Sequence, residues 1–560
     1  MSVDPTAAAR EGQHERRPGQ AEEATGASTE RTGRTPGSDE EQVARGAFAP
    51  AANPLVRHAP PVPSPATDPL IGKPAFAAAT VGLIAAGIVG LLLVLSPLYG
   101  FHRDELYFIV AGRHPALGYP DQPALTPLLS AAAVWLFGLS PTAIRILPAL
   151  VVGALVVITA LVARDMGGSR RAQVLAALTL GLSGYLAAGH LDSTATYDLL
   201  AWGLVLWLVI RLLAGADRRL WLVVGVVAGI GLENKDTILF LALGLAGGVV
   251  LARRWDVLRS PWAWSVIVIA AVLWLPNLAW QAANDFPQLS MARAIAGSAG
   301  DNRAKLLPEL LLLSGPLLFP VPIAGAWRLL RSKATARWRA VGYAFLVTLV
   351  VVFVTGGKSY YAIGYSPVLM AAGAIALDGW LSRGRARLRA GVFGSAAAVS
   401  GALVAVLVLP ILPPATLVTT PIPSIYKESA EQIGWPELVT AVEHAVATLP
   451  AAEQAHAVIL TANYGEAGAL DLLGSGLPPV YSGHTGFWYW GPPPADRTVV
   501  VLVGHWDVGY GGSPFGPCTV LGHVDNGIGL ANQEQGAGID VCGPLPVAWP
   551  VLWPELLNLH

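Results

Sequence analysis

The stretch Tyr99–Leu129, YGFHRDELYFIVAGRHPALGYPDQPALTPLL, follows directly on an apolar run long enough to cross a bilayer. It then places His102, Arg103, Asp104, Glu105, Arg113, His114 and Asp121 close together. Ionisable side chains beside lipid cost free energy unless they are paired, hydrated or used on a ligand, so such a cluster marks a candidate site. Within it, ELYFIVA has the character of a helix lying at the membrane interface. The Pro-bounded GYPDQP reads as a turn, and ALTPLLSAAAVWLFGL as a second interfacial helix or a shallow span.

Working outward, 53% of the 560 residues are apolar and only 13% are charged, about half the usual share for a soluble domain. Most of the chain therefore belongs in lipid. The net charge of −1 and the lack of a clustered basic surface exclude a nucleic-acid partner. The first 72 residues are polar and rich in Pro, Gly and Ser, the composition of a disordered tail. They lack the layout of a secretory signal, so the first apolar segment is expected to stay as an anchor.

A helix needs about twenty apolar residues to cross a hydrocarbon core of roughly 30 Å. Eleven segments are expected as spans, approximately 76–98, 141–163, 172–190, 194–213, 220–233, 236–252, 262–280, 307–327, 340–356, 361–380 and 391–411. Every second loop is basic: RDMGGSRR, RLLAGADRR, RRWDVLR, RLLRSKATARWR and SRGRARLR together hold eighteen Lys or Arg. By the positive-inside rule these loops face the cytoplasm, with the N-terminus, and the Tyr99–Leu129 stretch faces out, as does the tail after Pro410. The expected plan is a mostly α polytopic membrane protein of the plasma or inner membrane. It comprises a cytoplasmic tail (1–72), a transmembrane domain (73–411) and a small extracytoplasmic α/β or α+β domain (412–560).

In that last domain GWPELVTAVEHAVATL reads as a helix, with Pro436 in its first turn. AVILTANYG, TVVVLVGHW and CTVLGHV read as strands. Cys518 and Cys542 are the only cysteines and, outside the cytoplasm, are expected as a disulfide. The aromatic run Phe487, Trp488, Tyr489 and Trp490 suits the core or docking face of a small domain, with sugar stacking as the alternative.

Two further outward loops carry candidate groups. GHLDSTATYDLLAWG holds His190, Asp192 and Asp198; Asp198 stands near a span end, where a lone charge needs a partner, whereas Asp192 could simply cap a helix. GLENKDT and TGGKSYY place Lys235 and Lys358 at helix ends, the second beside Gly356, Gly357, Tyr360 and Tyr361. Such cations suit a phosphate held at membrane depth. Carboxylates, cations and aromatic edges together fit the activation of an acceptor and the holding of an anionic leaving group, as with a sugar on a lipid phosphate.

The ordered set FHRDELY, GYPDQPALTPLL, GLENKDT, WLPNLAWQAANDFPQL and TGGKSYY resembles bacterial members of glycosyltransferase family 39. That family is related to protein O-mannosyltransferases and lipid A aminoarabinose transferases within the polytopic C-type glycosyltransferase superfamily. The likeness runs over about 75–410 and into the tail through NYGEAGALD and YSGHTGFWYWGPP. It implies transfer of a sugar from a polyprenyl-phosphate donor, with inversion, to a protein, lipid or polysaccharide acceptor on the outer face. Asp104 would activate the acceptor, supported by Glu105, and Asp198 would be the second acid. Lys235 and Lys358 would bind the lipid phosphate, with Arg103 sharing its charge and His190, Tyr360 and Tyr361 nearby. A divalent cation, Mg²⁺ or Mn²⁺, on Asp104 and Asp198 is left open, since no metal-type spacing is present. The rival classes are a transporter or flippase of a lipid-linked substrate and a non-catalytic glycan-binding membrane protein. A transporter is opposed by the absence of a two-half repeat and by charges gathered near one face.

Overall fold

The computed structural model describes residues 73–506 and 514–559. The expected disordered tail lies outside them. Among the described residues seven helices are long and apolar enough to cross a membrane, and three shorter apolar helices, Leu125–Phe137, Leu220–Leu232 and Ile238–Leu251, accompany them. The protein is a multi-pass membrane protein.

The first nine helices are α1 (Ala78–Leu95), α2 (Arg103–Arg113), α3 (Leu125–Phe137), α4 (Pro141–Asp165), α5 (Arg170–Gly181), α6 (Tyr185–His190), α7 (Thr194–Leu213), α8 (Leu220–Leu232) and α9 (Ile238–Leu251). Serines set several of their starts. Ser140 and Ser193 accept the N–H of Ala143 and Thr196, capping α4 and α7, and Pro141 fills the first turn of α4, where its missing N–H costs nothing. The middle of the bundle is α4, which packs on α1, α5, α6 and α7. The basic loops meet at one end: Lys73 pairs with Asp165 at 2.8 Å, and the Trp338 indole donates to the Ile210 carbonyl at 2.9 Å.

Two expected spans are broken. The segment 172–190 splits into α5 and α6 because the Gly184 amide donates to the Leu313 carbonyl at 2.7 Å, an approach that any Cβ at this position would crowd. The segment 307–327 splits into Ala299–Leu313 and Pro320–Arg331 around Gly315, whose φ of 96° suits glycine.

The C-terminal region carries a five-stranded mixed sheet in the order β2-β1-β3-β5-β4. Its strands are β1 (Ala457–Thr461), β2 (Val480–Ser482), β3 (Val499–Gly504), β4 (Cys518–His523) and β5 (Gly538–Cys542). β1 pairs parallel with β2 and β3, while β5 runs antiparallel to β3 and β4. The expected helix forms as Trp435–Ala447 and the three expected strands as β1, β3 and β4; β2 and β5 were not legible. Cys518 and Cys542 stand opposite one another on β4 and β5 and are joined by a disulfide.

α2, expected as an interfacial helix, is packed against the C-terminal region. Leu106, Ile109 and Phe101 share one core with Trp435, Leu438, Val442, Ile459, Leu470 and Val501, so the helix is covered by the C-terminal region. The aromatic run completes that cover. Phe487 is buried near Tyr107, the Trp488 indole donates to the Trp553 carbonyl at 2.8 Å, Tyr489 meets Trp280, and Trp490 stacks on His114 at 4.3 Å. Of these rings His114, Trp280, Tyr489 and Trp490 also border, with Arg113, Tyr119 and Asn284, a cavity of about 450 Å³.

Candidate active site

The start of α2 has the layout of a capping box: the His102 ring faces the Asp104 N–H at 3.2 Å, and Glu105 accepts the His102 N–H at 2.8 Å, the shorter of the two contacts. Asp104 alone of His102, Arg103, Asp104 and Glu105 keeps partial exposure. Its Oδ1 accepts the Tyr464 hydroxyl at 2.7 Å. Burial acts to raise its pKa, but His102, the Tyr464 hydroxyl, Arg103 and Lys358 outweigh that and hold the carboxyl below its ordinary value. Asp104 is therefore an anion at neutral pH.

Glu105 is wholly buried, and four donors surround its two oxygens. Arg145 reaches them through Nε at 2.9 Å and Nη2 at 2.7 Å, and the amides of His102 and Asp192 at 2.8 and 3.0 Å complete the shell. Arg145 also donates to the carbonyls of Ser96 and Gly100. A carboxylate saturated in this way holds the end of α1, the start of α2 and the α6–α7 connection together; that arrangement suits positioning of Asp104 rather than contact with a substrate.

Two residues expected at the donor phosphate are engaged elsewhere. The Arg103 guanidinium stands over the Tyr464 ring at 4.6 Å, bonds to Gln533 and lies 4.0 Å from Glu431, so its charge is turned toward the C-terminal region. His190 is fully buried, with Nε2 3.2 Å from Gln432, on the Arg145 side. Asp192 accepts from Ser130 and Tyr197, each at 2.6 Å, as a satisfied internal acid.

The two lysines do come together. Lys235 lies in the middle of the α8–α9 connection, which is held by Asn234: its amide donates to the Thr194 carbonyl at 2.7 Å and its oxygen accepts the Thr126 hydroxyl at 2.6 Å. The Lys235 ammonium bonds Thr194 Oγ1 at 3.2 Å and stands 5.5 Å and 5.9 Å from the rings of Tyr360 and Tyr361. Lys358 follows Gly356, which closes the Arg339–Thr355 helix at φ 68°, and its ammonium lies 6.0 Å from the same Tyr360 ring. Tyr360, then burial, then Asp104 act on Lys358, and the first and last raise its pKa. Asp198 bonds the Trp202 indole at 3.1 Å and is an electrostatic neighbour of Lys235. Thus Asp104, Lys358, Lys235 and Asp198 form one chain of interacting charges, threaded by Tyr360 and Tyr361.

Asp121, counted in the charged stretch of the sequence but assigned no role there, belongs to this group. It accepts the Tyr107 hydroxyl at 2.7 Å, and Tyr107 lies against Tyr464, the partner of Asp104. Burial, with Asp104 adding to it against the Tyr107 bond, pushes Asp121 up to about 6. The turn is locked from below, since the side chains of Gln281 and Gln288 both donate to the Tyr119 carbonyl, at 3.0 and 3.3 Å. Tyr464 was also missed, because nothing local ties a residue of the tail to α2.

Among the described residues the group close enough to hold a metal ion is His102, Glu428 and Glu431, whose donor atoms lie within 4.8 Å; it does not include Asp104 or Asp198. Burial disfavours charge on His102, but its bonds to Glu428 and Glu431 and the Asp104 charge prevail and raise it to about 10. An imidazolium cannot accept the Asp104 N–H, so capping and protonation compete; two carboxylates at 3.0 and 3.4 Å outweigh one long bond. The three groups therefore satisfy one another, and an ion would have to displace that pairing.

Residues 121–280 match the family described as dolichyl-phosphate-mannose-protein mannosyltransferase. Among solved structures, ArnT from Cupriavidus metallidurans bound to undecaprenyl phosphate aligns with a TM-score of 0.54 at 14% identity, over 84% of this chain and 100% of that one. The chain has the ArnT fold. The apo state of ArnT aligns with a TM-score of 0.56 at 14% identity, over 86% of this chain and all of ArnT. No curated protein matches the chain. The resemblance to glycosyltransferase family 39 carried by the motifs therefore stands. The matched segment holds Asp121, Asp198 and Lys235, while Asp104 and Lys358 lie outside it.

Proposed function

We propose that this protein is a membrane glycosyltransferase that moves a sugar from a polyprenyl-phosphate donor to an acceptor hydroxyl or amine, with inversion. The observation that carries this reading is the line of charge from Asp104 through Lys358 to Lys235: an anion for the acceptor's proton beside two cations for a phosphate. In the proposed reaction the acceptor's oxygen or nitrogen bonds to the anomeric carbon as the bond from that carbon to the phosphate oxygen breaks. The acceptor's proton passes to a carboxylate, and the bonding pair leaves on the lipid phosphate, held by Lys235 and Lys358. A positioned base is worth about 10²- to 10⁴-fold, and stabilising the departing charge contributes separately. The ArnT structure bound to undecaprenyl phosphate supports this choice of donor class by fold. The basic loops, by the positive-inside rule, support an extracytoplasmic site and C-terminal region.

A second assignment of the base has its own support. Neighbouring acids driven to opposite sides of their usual pKa divide their roles. Asp104, held low, would orient and electrostatically assist; Asp121, at about 6, would be the stronger proton acceptor at neutral pH. The pH profile separates the two.

The experiment is turnover by purified full-length protein of a panel of undecaprenyl-phosphate sugars, followed by release of undecaprenyl phosphate, with ion and solute flux measured in parallel vesicles. Release without flux supports the enzyme. Flux without release supports the transporter class and removes this proposal. A chelator titration with Mg²⁺ or Mn²⁺ add-back, in the same assay, tests metal dependence.

A further inference from the structure

At the other end of the bundle, helix Pro320–Arg331 borders a groove of about 630 Å³ lined by Phe319, Ile323, Trp327, Arg328, Arg331 and, across from them, Ala376. Its lining is graded. Apolar side chains occupy the end toward the middle of the bundle, Ile323 and Trp327 being largely exposed. The two guanidiniums and Ser332 stand where the helix runs into the basic loop. Twelve residues make a helix about 18 Å long, close to half of a hydrocarbon core of roughly 30 Å, so the groove is about one leaflet deep.

The charges are unmatched. Arg328 Nε is shielded from solvent and has no hydrogen-bond partner, and among the described residues neither Arg328 nor Arg331 is in an ion pair. Asp378, on the neighbouring Ser366–Leu381 helix, is taken by Arg171 at 3.2 Å and Ser169 at 2.7 Å. Arg331 rests on the Trp327 ring at 5.3 Å, which aligns it with the groove. A half-buried guanidinium at a bilayer boundary is costly without a counter-charge, and an anionic headgroup supplies one while its chain fills the apolar part.

We infer that this groove is a binding site for one anionic glycerophospholipid of the leaflet that faces the basic loops. Its phosphate lies against Arg328 and Arg331, and one acyl chain lies along Ile323 and Phe319. The site stands apart from the Asp104 cluster and does not depend on the reaction proposed there.

The test uses full-length protein delipidated in neutral detergent, with native mass spectrometry counting retained lipid and thermal unfolding read in parallel. The probes are phosphatidylglycerol, phosphatidylcholine and undecaprenyl phosphate at equal mole fraction. One phosphatidylglycerol per chain retained at least tenfold over phosphatidylcholine is expected, with a raised unfolding midpoint. Arg328→Gln with Arg331→Gln should remove that preference, and Arg331→Gln alone, an exposed change that leaves packing intact, should weaken it several-fold. Arg383→Gln with Arg385→Gln, in another basic loop, should leave it unchanged. Equal retention of the two phospholipids overturns the inference, as does retention by the double variant equal to the parent. Preferential capture of undecaprenyl phosphate at Arg328 and Arg331 overturns the assigned occupant.

Discussion

Asp104 shows what local sequence does and does not tell. That it is an unusual carboxylate was legible from its neighbours, but the balance acting on it was not: desolvation is opposed by His102, by the hydroxyl of Tyr464 from 360 residues away, by Arg103 and by Lys358, and together these outweigh it. The same gap hid Asp121, whose role depends on Tyr107 and Tyr464 meeting above it. The two assignments of the base give different pH profiles. A base must be deprotonated, so its contribution is present above its pKa and is lost as pH falls through it. If Asp121 is the base, turnover per enzyme will fall about tenfold per pH unit below about 6, and Asp121→Asn will abolish that limb. If Asp104 is the base, turnover will show no loss on passing through pH 6, since Asp104 is held under the ordinary value of roughly 3.9. Glu105 makes a different prediction. Glu105→Gln leaves the buried Arg145 without its anion, and a broken buried pair costs about 3–5 kcal/mol. Chemical denaturation should show that loss, and the pH profile of whatever folds should keep the parent's midpoint. A shifted midpoint at full stability would instead make Glu105 a participant in the chemistry.

At the level of elements, length and apolarity placed most apolar helices within a few residues, and α7 within the same bounds, while the segments 220–233 and 236–252 form helices shorter than a full span. The failures share one physical cause. A hydropathy window counts apolar side chains and does not register that Gly184 lets Leu313 take its amide, or that Gly315 turns the chain. Glycines also permit contacts that no pattern announces. A Cβ at Gly325 would collide with the Leu369 carbonyl, and one at Gly373 with the Val321 carbonyl, so helices Pro320–Arg331 and Ser366–Leu381 meet through a reciprocal pair of small residues. Gly325→Ala should cost about 1–3 kcal/mol as an overpacked interface, measured by thermal unfolding in detergent; an unchanged midpoint would contradict the close approach. In the C-terminal sheet, the Cys518–Cys542 bond closes a separation of 24 residues between β4 and β5. Replacing both cysteines by serine should remove about 2–4 kcal/mol, read as a lower unfolding midpoint in oxidising buffer that matches the parent's midpoint after reduction.

For the whole molecule, composition and the spacing of basic loops made the membrane class and the helical plan legible. The joining of its parts was not, because the core that buries α2 is assembled from Phe101 and Leu106 on one side and Trp435, Ile459 and Val501 on the other. Through that shared core the C-terminal region supplies Tyr464 to the proposed base and Gln533 to Arg103. The proposed transfer rests on a carboxylate and two distant lysines acting on one lipid-linked sugar. The most direct measurement is release of undecaprenyl phosphate from its sugar conjugate by parent, Asp104→Asn and Lys235→Ala/Lys358→Ala proteins, with donor binding measured on each. Asp104→Asn should bind donor as the parent does while losing at least 10²-fold in turnover, and the lysine variant should lose donor binding as well. Parent-like turnover by Asp104→Asn, or parent-like donor binding without both lysines, would contradict the proposed transfer.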